Sequence, residues 1–322
     1  MKHDTLNAKL EQDYYPNPSW KNCTPYNDFV FVKTSKTGGS TVGALLYRYG
    51  IKHNLTAALP DPLTSMMLHI TQYKVHVTEY PCSKTFAGYN YIAHHMHKYN
   101  HKLLKGLIPN AKFVTIIRLP FKQLESRFYF EHFDKKFALQ NYTNPLETFL
   151  TSSTYHQFLD SVIYSRVQRW FSMTSDHGLM ELDKEFDLVM ITEYMDESLV
   201  LLKQMMCWTF DDVIYHSNKV STRERQPMTR PMERVLSEIL VEDVTVYKHF
   251  NMTLWRKIDN YDGDFDNDLR LLRARRAEIT SMCERENNAQ EHVCKFLSYD
   301  VHHCKKIAEK TQFERLCGKH RN

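Results

Sequence analysis

The sequence lacks a long apolar run, although 42% of its 322 residues are hydrophobic. A helix that crosses a bilayer needs roughly 18 or more consecutive apolar residues, and no stretch reaches that length. The first twenty residues, MKHDTLNAKLEQDYYPNPSW, also lack the apolar centre of a signal peptide. Taken by itself, the sequence therefore predicts a soluble chain, and one that is long enough to bury a large core.

The chain also has little net charge. Its 42 basic and 38 acidic side chains give a formal charge of only +4. A protein that binds nucleic acid through its overall charge carries a much larger basic excess. We therefore expect no nucleic-acid partner, and any anion site must come from basic residues that are clustered in a motif.

Metal-binding patterns are missing too. The cysteines include no C-x2-C pair and have irregular gaps, which disfavours a zinc site even though His292, His302 and His303 lie among the last of them. The acidic run from Asp262 to Asp268 has Asn267 where a calcium loop needs its turn glycine, so we interpret it as a solvated loop. The sequence therefore predicts no resident metal.

The cysteines instead indicate an oxidising compartment. Four of the seven fall within the last forty residues, a density typical of a tail stapled by disulfides, and the odd total leaves at least one thiol unpaired. Four N-glycosylation sequons add a modest indication of a secretory lumen. The cysteines are Cys23, Cys82, Cys207, Cys283, Cys294, Cys304 and Cys317, and the sequon asparagines are Asn22, Asn54, Asn141 and Asn251.

Short apolar segments alternate along the chain with longer segments of helical periodicity. This alternation is typical of a mainly parallel sheet with helices on both faces, so we predict an α/β fold. From Pro231 onward the pattern is helical and charged, without a strand. The predicted strands are 28–33, 89–93, 111–117 and 186–191, and the predicted helices are 40–49, 98–106, 121–133, 155–171 and 197–207.

No internal repeat, low-complexity tract or long linker marks a domain boundary. We predict an N-terminal segment, residues 1–25, and one domain, residues 26–322, which includes a helical, cysteine-containing tail from about residue 231. In parallel sheets, ligands bind beyond the carboxyl ends of the strands, where loops lead into helices. The loops after the predicted strands are therefore the places where chemistry is expected.

The first predicted strand leads into the loop KTSKTGGST at residues 33–41 and then into a helix. A glycine-containing turn before a helix gathers backbone N–H groups in front of the positive end of the helix dipole, and such a nest binds phosphate. The loop is not a Walker A motif, because its lysines precede its glycines, and this disfavours a magnesium-dependent nucleotide triphosphatase. The alternative is a surface turn that carries two lysines.

Arg118 follows the third predicted strand, and Ser126 lies eight residues later on the next predicted helix. A guanidinium group and a hydroxyl group two helical turns apart can converge on one phosphate. Together with the 33–41 loop, they predict two anion sites at neighbouring strand ends. This arrangement suits a nucleoside with a phosphate at each end better than a triphosphate chain. Helix packing or an ion pair is the alternative role for Arg118.

The second predicted strand ends at His94 and His95. A neutral imidazole near pH 7 is suited to take a proton from a hydroxyl group. Neighbouring side chains on an extended strand face opposite ways, so we expect only one of the two to point into a cleft. Because the chain has 17 histidines, a structural role is the alternative for both.

Together these segments resemble the galactose 3-O-sulfotransferase family, which includes the cerebroside sulfotransferases. The chain has KTSKTGGST at 33–41, HHM at 94–96, RLPFKQLESRF at 118–128 and EYMDESLVLLKQMMCW at 193–208. Four blocks in the family's order, over about two thirds of the chain, are far more specific than any one block. The chain departs from the family at Ser35, where relatives often have histidine, and at Gly38 and Gly39, where they often have Ala-Ser.

The resemblance implies a P-loop-like sulfotransferase fold, with 3′-phosphoadenosine 5′-phosphosulfate as the sulfuryl donor and no metal. It implies that Lys36 and His94 or His95 are catalytic, and that Arg118 and Ser126 bind the 3′-phosphate. The residues implied to hold the 5′-phosphosulfate are Lys33, Lys36, Thr37, Gly38, Gly39, Ser40 and Thr41.

The resemblance also implies the acceptor and the compartment. We expect the 3-hydroxyl of a galactose-terminated glycolipid or glycan to be sulfated in the Golgi lumen. Relatives are held in the membrane by an N-terminal anchor, so membrane association is expected from the resemblance alone. Either the chain starts downstream of such an anchor, or this protein is retained differently. The alternatives are another Golgi carbohydrate sulfotransferase, a P-loop kinase, and a glycan-binding relative without activity.

Overall fold

The computed structural model describes residues 23–60, 67–96, 98–159, 170–173, 178–216, 226–284 and 291–318. Its strands are β1 (Phe29–Val32), β2 (His69–Ile70), β3 (Val75–His76), β4 (Tyr91–Ile92), β5 (Lys112–Ile117) and β6 (Leu188–Ile191). Its α-helices are α1 (Gly39–Lys52), α2 (His101–Leu107), α3 (Pro120–Phe130), α4 (Phe133–Lys136), α5 (Pro145–Thr151), α6 (Leu179–Glu185), α7 (Met195–Met206), α8 (Phe210–Val213), α9 (Arg230–Ile239), α10 (Val241–Asp259), α11 (Phe265–Glu284), α12 (Glu291–Ser298) and α13 (Val301–Cys317). Short 3₁₀ helices lie at Ser153–Phe158 and Thr192–Tyr194.

A four-stranded parallel sheet in the order β4-β1-β5-β6 forms the centre of the molecule. Phe29 of β1 pairs with Tyr91 of β4 on one side and with Lys112 of β5 on the other. These four strands are the four that the sequence predicts, and the α/β fold class is confirmed. A separate antiparallel pair, β2 and β3, was not predicted; each of its strands has only two residues.

The central strands are continuous apolar runs because both faces of the sheet are covered. All four residues of β1, FVFV, and all four of β6, LVMI, are buried. The one polar residue in the middle of β5, Thr115, is fully buried, and its hydroxyl donates to the carbonyl oxygen of Val32 at 2.7 Å. This bond satisfies the buried hydroxyl and ties β5 to β1.

The helical predictions are confirmed in place, with two corrections. The helix predicted over 121–133 ends at Phe130, because His132 takes a left-handed backbone conformation (φ 56°) and the short α4 starts after it. The helix predicted over 155–171 begins as a 3₁₀ helix at Ser153–Phe158, and its 160–169 portion lies outside the described residues.

The tail is helical, as predicted, from Arg230 onward. Helix α13 packs along α1, and α9 joins α3 and α5 around a second, smaller apolar cluster. Among the described residues, no helix is both long enough and apolar enough to cross a membrane. The extent of the predicted N-terminal segment stays a prediction, since residues 1–22 lie outside the described part.

Three disulfides join Cys23 to Cys207, Cys82 to Cys317, and Cys283 to Cys294. The sequence predicts disulfides in the tail, and Cys283–Cys294 is the one pair that lies wholly within it. Cys317, also in the tail, bonds instead to Cys82, which precedes the tail by about 150 residues. Cys304 is the predicted unpaired thiol, and it is buried.

The interpretation of the 262–268 acidic run as a solvated loop is wrong at Asp268. Its carboxylate is buried and lies 3.2 Å from the buried ammonium group of Lys203. Tyr261 donates a second hydrogen bond to the same carboxylate. A charge removed from water needs such partners, so the ion pair between Asp268 and Lys203 anchors α11 against α7.

Candidate active site

The predicted site segments follow three neighbouring strands of the central sheet. The 33–41 loop follows β1, His94 and His95 follow β4, and Arg118 follows β5. Because these strands are parallel and adjacent, their carboxyl ends share one edge of the sheet, here called the β4-β1-β5 edge. This is the position at which parallel sheets bind ligands.

Two hydrogen bonds join the three segments across this edge. Nδ1 of His95 lies 3.1 Å from the carbonyl oxygen of Lys33, and Nη1 of Arg118 donates to the carbonyl oxygen of Lys36 at 3.2 Å. Residues that are more than sixty positions apart in sequence therefore meet at one loop.

The backbone of the loop turns sharply into α1. Lys36 (φ 63°) and Gly38 (φ 76°) both have left-handed conformations, which glycine tolerates and lysine adopts at a cost. Helix α1 begins at Gly39, no side chain caps its first N–H groups, and its first turn has no acidic residue. The start of α1 therefore presents backbone donors and the positive end of the helix dipole, as an anion cradle requires.

The loop folds back closely on itself at Gly39. A Cβ atom on Gly39 would lie 3.1 Å from Cγ of Lys33 and 3.2 Å from the carbonyl oxygen of Thr34. Lys33 is buried and its side chain packs against the start of α1, while Ser40 and Thr41 in the first turn are partly buried. The cradle thus has a lysine packed against its base and hydroxyl groups at its rim.

The hydroxyl group of Thr37 is used inside the protein. Thr37 is fully buried, and its Oγ1 lies 2.8 Å from Oγ1 of Thr34, which in turn lies 2.6 Å from the carbonyl oxygen of Ile116. These bonds fasten the loop to β5. The contribution of Thr37 to an anion site is therefore limited to its backbone N–H group.

Arg118 lies between the loop and a carboxylate. Its Nε is 3.9 Å from Oε1 of Glu193, whose other oxygen accepts the backbone N–H of Leu119 at 3.2 Å and lies 3.4 Å from the hydroxyl of Tyr247. Burial and then the charge of Glu193 raise the pKa of Tyr247, so its phenol keeps its proton. Glu193 thus binds the backbone just after β5, while Nη1 of Arg118 remains hydrogen-bonded to the carbonyl oxygen of Lys36.

Ser126 is part of α3, and the side chain of Lys36 contacts the same helix. Ser126 is on the second turn of this helix and is partly buried, and Nζ of Lys36 lies 3.5 Å from the ring centroid of Phe130, one turn further. The contacts of the described residues join Arg118 to the loop and do not join it to Ser126. Their convergence on one phosphate therefore stays a prediction.

The two histidines lie just past the end of β4 and differ in exposure. His94 is buried (4% exposed), whereas His95 is partly buried and contacts the loop. Their ring centroids are 6.5 Å apart with the planes at 65°. The two side chains thus have different surroundings, and which of them points into a substrate cleft stays a prediction.

His95 is neutral at physiological pH. Burial, and next the charge of Lys33, lower the pKa of its imidazole to about 3. Since a carbonyl oxygen only accepts hydrogen bonds, Nδ1 carries the hydrogen toward Lys33 and Nε2 carries a lone pair. The ring therefore has a fixed tautomer, in which Nε2 is the nitrogen that can accept a proton.

Sequence reasoning missed several residues that support this edge. The hydroxyl of Thr192 lies 2.6 Å from the carbonyl oxygen of Thr37 and 2.9 Å from that of Ile117, and Gln123 donates to the carbonyl oxygen of Ser35 at 2.7 Å. Thr192 and Glu193 follow β6, so the rule that polar residues after a strand belong to the site would have found them. His302, at the start of α13, is close enough to lower the pKa of His95 further, and nothing local in the sequence indicates this.

The sequence of the chain is similar to those of several known proteins. Residues 3–296 match the sequence model of the galactose-3-O-sulfotransferase family. The chain is 29% identical to galactosylceramide sulfotransferase from Mus musculus over 299 residues, which are 86% of this chain and 66% of the relative. It is 30% identical to galactose-3-O-sulfotransferase 2 from Homo sapiens over 288 residues, which are 82% of this chain and 70% of the relative. The chain thus spans about two thirds of the length of these relatives, and it belongs to the galactose-3-O-sulfotransferase family.

Proposed function

We propose that this protein transfers a sulfuryl group from 3′-phosphoadenosine 5′-phosphosulfate to the 3-hydroxyl of galactose in a glycolipid or glycan. One observation carries the proposal: three family blocks meet at the β4-β1-β5 edge, around a helix start that no side chain caps. Family membership supports the reaction class. The names of the relatives support galactose as the acceptor sugar.

The donor fits this edge in chemical character. The start of α1 offers backbone N–H groups from Thr37 to Ser40 and the hydroxyls of Ser40 and Thr41 to the 5′-phosphosulfate, with Lys33 and Lys36 supplying positive charge. The close approach of Lys33 to Gly39 supports this assignment, because it places a lysine side chain against the start of α1. We assign Arg118 and Ser126 to the 3′-phosphate.

The reaction is an in-line transfer. The oxygen of the acceptor hydroxyl forms a bond to sulfur as the bond between sulfur and the 5′-phosphate oxygen breaks, and adenosine 3′,5′-bisphosphate leaves. Nε2 of His95 takes the hydroxyl proton. Lys36 and the backbone donors of the cradle stabilise the charge that grows on the bridging oxygen. In this mechanism, lysine and the helix start provide the positive charge that magnesium supplies in kinases.

We choose His95 over His94 as the base because His95 contacts the donor loop and has its Nε2 lone pair set by a hydrogen bond to the Lys33 carbonyl. The low pKa of His95 keeps it unprotonated before substrates bind. The positive charge of Lys33 is the second cause of the lowered pKa of His95. A bound phosphosulfate beside Lys33 would offset this charge, so His95 should be a stronger base when the donor is bound.

The test is transfer of radiolabelled sulfate from the donor to an array of β-galactosides, followed by linkage analysis of the product. We expect label on the 3-hydroxyl of galactose, and we expect Lys36→Ala to lower kcat far more than donor affinity, since its charge is needed only as the bond breaks. Label at another position would point to a different carbohydrate sulfotransferase. Glycan binding by the parent protein without transfer would point to a non-catalytic relative.

We also propose that the protein works in the Golgi lumen in association with the membrane. Three disulfides among the described cysteines support an oxidising compartment. Asn54 and Asn141, two of the four sequon asparagines, are exposed. Membrane association rests on the family resemblance, and cell fractionation with carbonate extraction tests it.

A further inference from the structure

Phe130 is a large apolar side chain that is 60% exposed, and its ring lies against the ammonium group of Lys36 at 3.5 Å. It is the last residue of α3, four positions after Ser126, so the two side chains lie on the same face of the helix. Because most of the ring is exposed, the hydrophobic effect contributes little free energy to holding it in place. Its contact with a cation instead supplies a directional attraction.

The backbone around Lys36 is held by the same part of the chain. Arg118 donates to the carbonyl oxygen of Lys36, and Gln123 donates to the carbonyl oxygen of Ser35. Lys36 itself has a left-handed backbone conformation, which costs a non-glycine residue free energy and is kept only where the surroundings enforce it. The 118–130 segment therefore contacts both the backbone and the side chain of Lys36.

We propose that Phe130 is a positioning residue for Lys36, whose ring holds the lysine ammonium group at the face of α3 that carries Ser126. The consequence for the reaction rests on the sulfuryl transfer proposed above: Lys36 meets the donor already oriented. Because the ring is exposed, its loss leaves the apolar core intact and changes only the direction of this one cation.

The first experiment measures turnover. At saturating donor, we expect Phe130→Leu to lower kcat roughly two- to fivefold, the range of an exposed cation–π contact. Binding of adenosine 3′,5′-bisphosphate, measured by calorimetry, should change less than kcat. Phe130→Tyr keeps the ring face and should restore the parent rate. Tyr73→Leu, at an 82% exposed aromatic in the turn between β2 and β3, is the matched control and should have no effect.

The second experiment does not depend on activity. Labelling of lysines with a limiting amine-acylating reagent, read by mass spectrometry, reports the fraction of Lys36 that is unprotonated. Since the ring stabilises the ammonium form, Phe130→Leu should raise Lys36 labelling roughly two- to fivefold relative to the exposed Lys310 in the same protein.

Each result decides the proposal. An unchanged kcat in Phe130→Leu, or an equal loss in Phe130→Tyr, would overturn the role of the ring. Unchanged Lys36 labelling would overturn the contact itself. If the parent protein transfers no sulfate, the proposed function fails, and the labelling result still decides whether Phe130 holds Lys36.

Discussion

At the scale of single residues, Arg118 links two parts of the site. Its guanidinium group supports the Lys36 carbonyl and stands beside Glu193, so it is oriented before any ligand arrives. A pre-oriented fork of donors binds phosphate more strongly than a flexible ammonium group.

We therefore expect Arg118→Ala to weaken binding of adenosine 3′,5′-bisphosphate by roughly tenfold or more, since a hydrogen bond to a charged group contributes about 1.5 to 3 kcal/mol. Calorimetry on the folded variant measures this loss. Arg118→Lys keeps the positive charge but lacks the paired guanidinium donors, so its affinity should lie between those of the parent and of Arg118→Ala. Unchanged affinity in Arg118→Ala would remove this arginine from the donor site.

The two histidines predict unequal effects on turnover. His95→Ala should lower kcat by roughly 10² to 10⁴, the usual contribution of a general base. His94 is buried away from the loop contact, so His94→Ala should act mainly through stability. Rates at saturating donor, compared with the melting temperature of each variant, separate the two effects. A larger loss of rate in a stably folded His94→Ala protein would reverse the assignment.

His95 also predicts how stability depends on pH. Its folded pKa of about 3 lies below the unfolded value of 6.5, so the unfolded chain takes up the proton first as the pH falls. The free energy of unfolding that depends on a neutral His95 is fully present above pH 6.5. It is lost as the pH falls from 6.5 to 3, at up to about 1.4 kcal/mol per pH unit. Urea unfolding at pH 7 and pH 4.5 should show a smaller acid loss in His95→Asn than in the parent. Equal losses would contradict the lowered pKa.

At the scale of elements, α13 braces the site from outside the family match, which ends at residue 296. The amide of Gln312 bonds both the N–H and the carbonyl oxygen of Ala57, and Arg315 donates to the hydroxyl of Thr56. The Cys82–Cys317 disulfide fastens the far end of the helix. These contacts hold α13 along α1, the helix whose start forms the anion cradle.

Removing that disulfide should cost more than removing the one inside the tail. Cys82 and Cys317 are 235 positions apart and Cys283 and Cys294 only 11, and closing a longer loop removes more entropy from the unfolded chain. The double serine variant of the first pair should lose about 2 to 3 kcal/mol more free energy of unfolding than that of the second. Urea unfolding without reductant measures both. Equal losses would mean that α13 is held by its side-chain contacts alone.

At the scale of the whole molecule, exposure predicts which sequons receive glycans in a secretory cell. Asn141 and the two residues after it, which complete its sequon, are all exposed. Asn251 lies within α10, where its Oδ1 and the hydroxyl of Thr253 are both buried. Glycosidase treatment should lower the mass of the parent protein. We expect Asn141→Gln to remove one glycan and Asn251→Gln to leave the mass unchanged. A parent chain without any glycan would contradict the proposed compartment.

The sequence by itself determined the four strands of the central sheet and the segments that follow them. Buried parallel strands are continuous apolar runs, and the start of a helix after a glycine turn is a local signal, so both can be seen in short stretches. The order of the blocks was enough to identify the family before any contact was known.

Only the tertiary structure decided which distant residues meet. His95 reaches Lys33 across 62 positions, Lys36 lies on Phe130, and Asp268 pairs with Lys203 across 65. The disulfide between Cys317 and Cys82 joins residues that are 235 positions apart. Nothing local distinguishes His95 from His94, or Asp268 from the exposed aspartates before it. Their roles depend on burial and on partners that are brought near by the strand order β4-β1-β5-β6, because the energy of a buried polar group depends on what surrounds it.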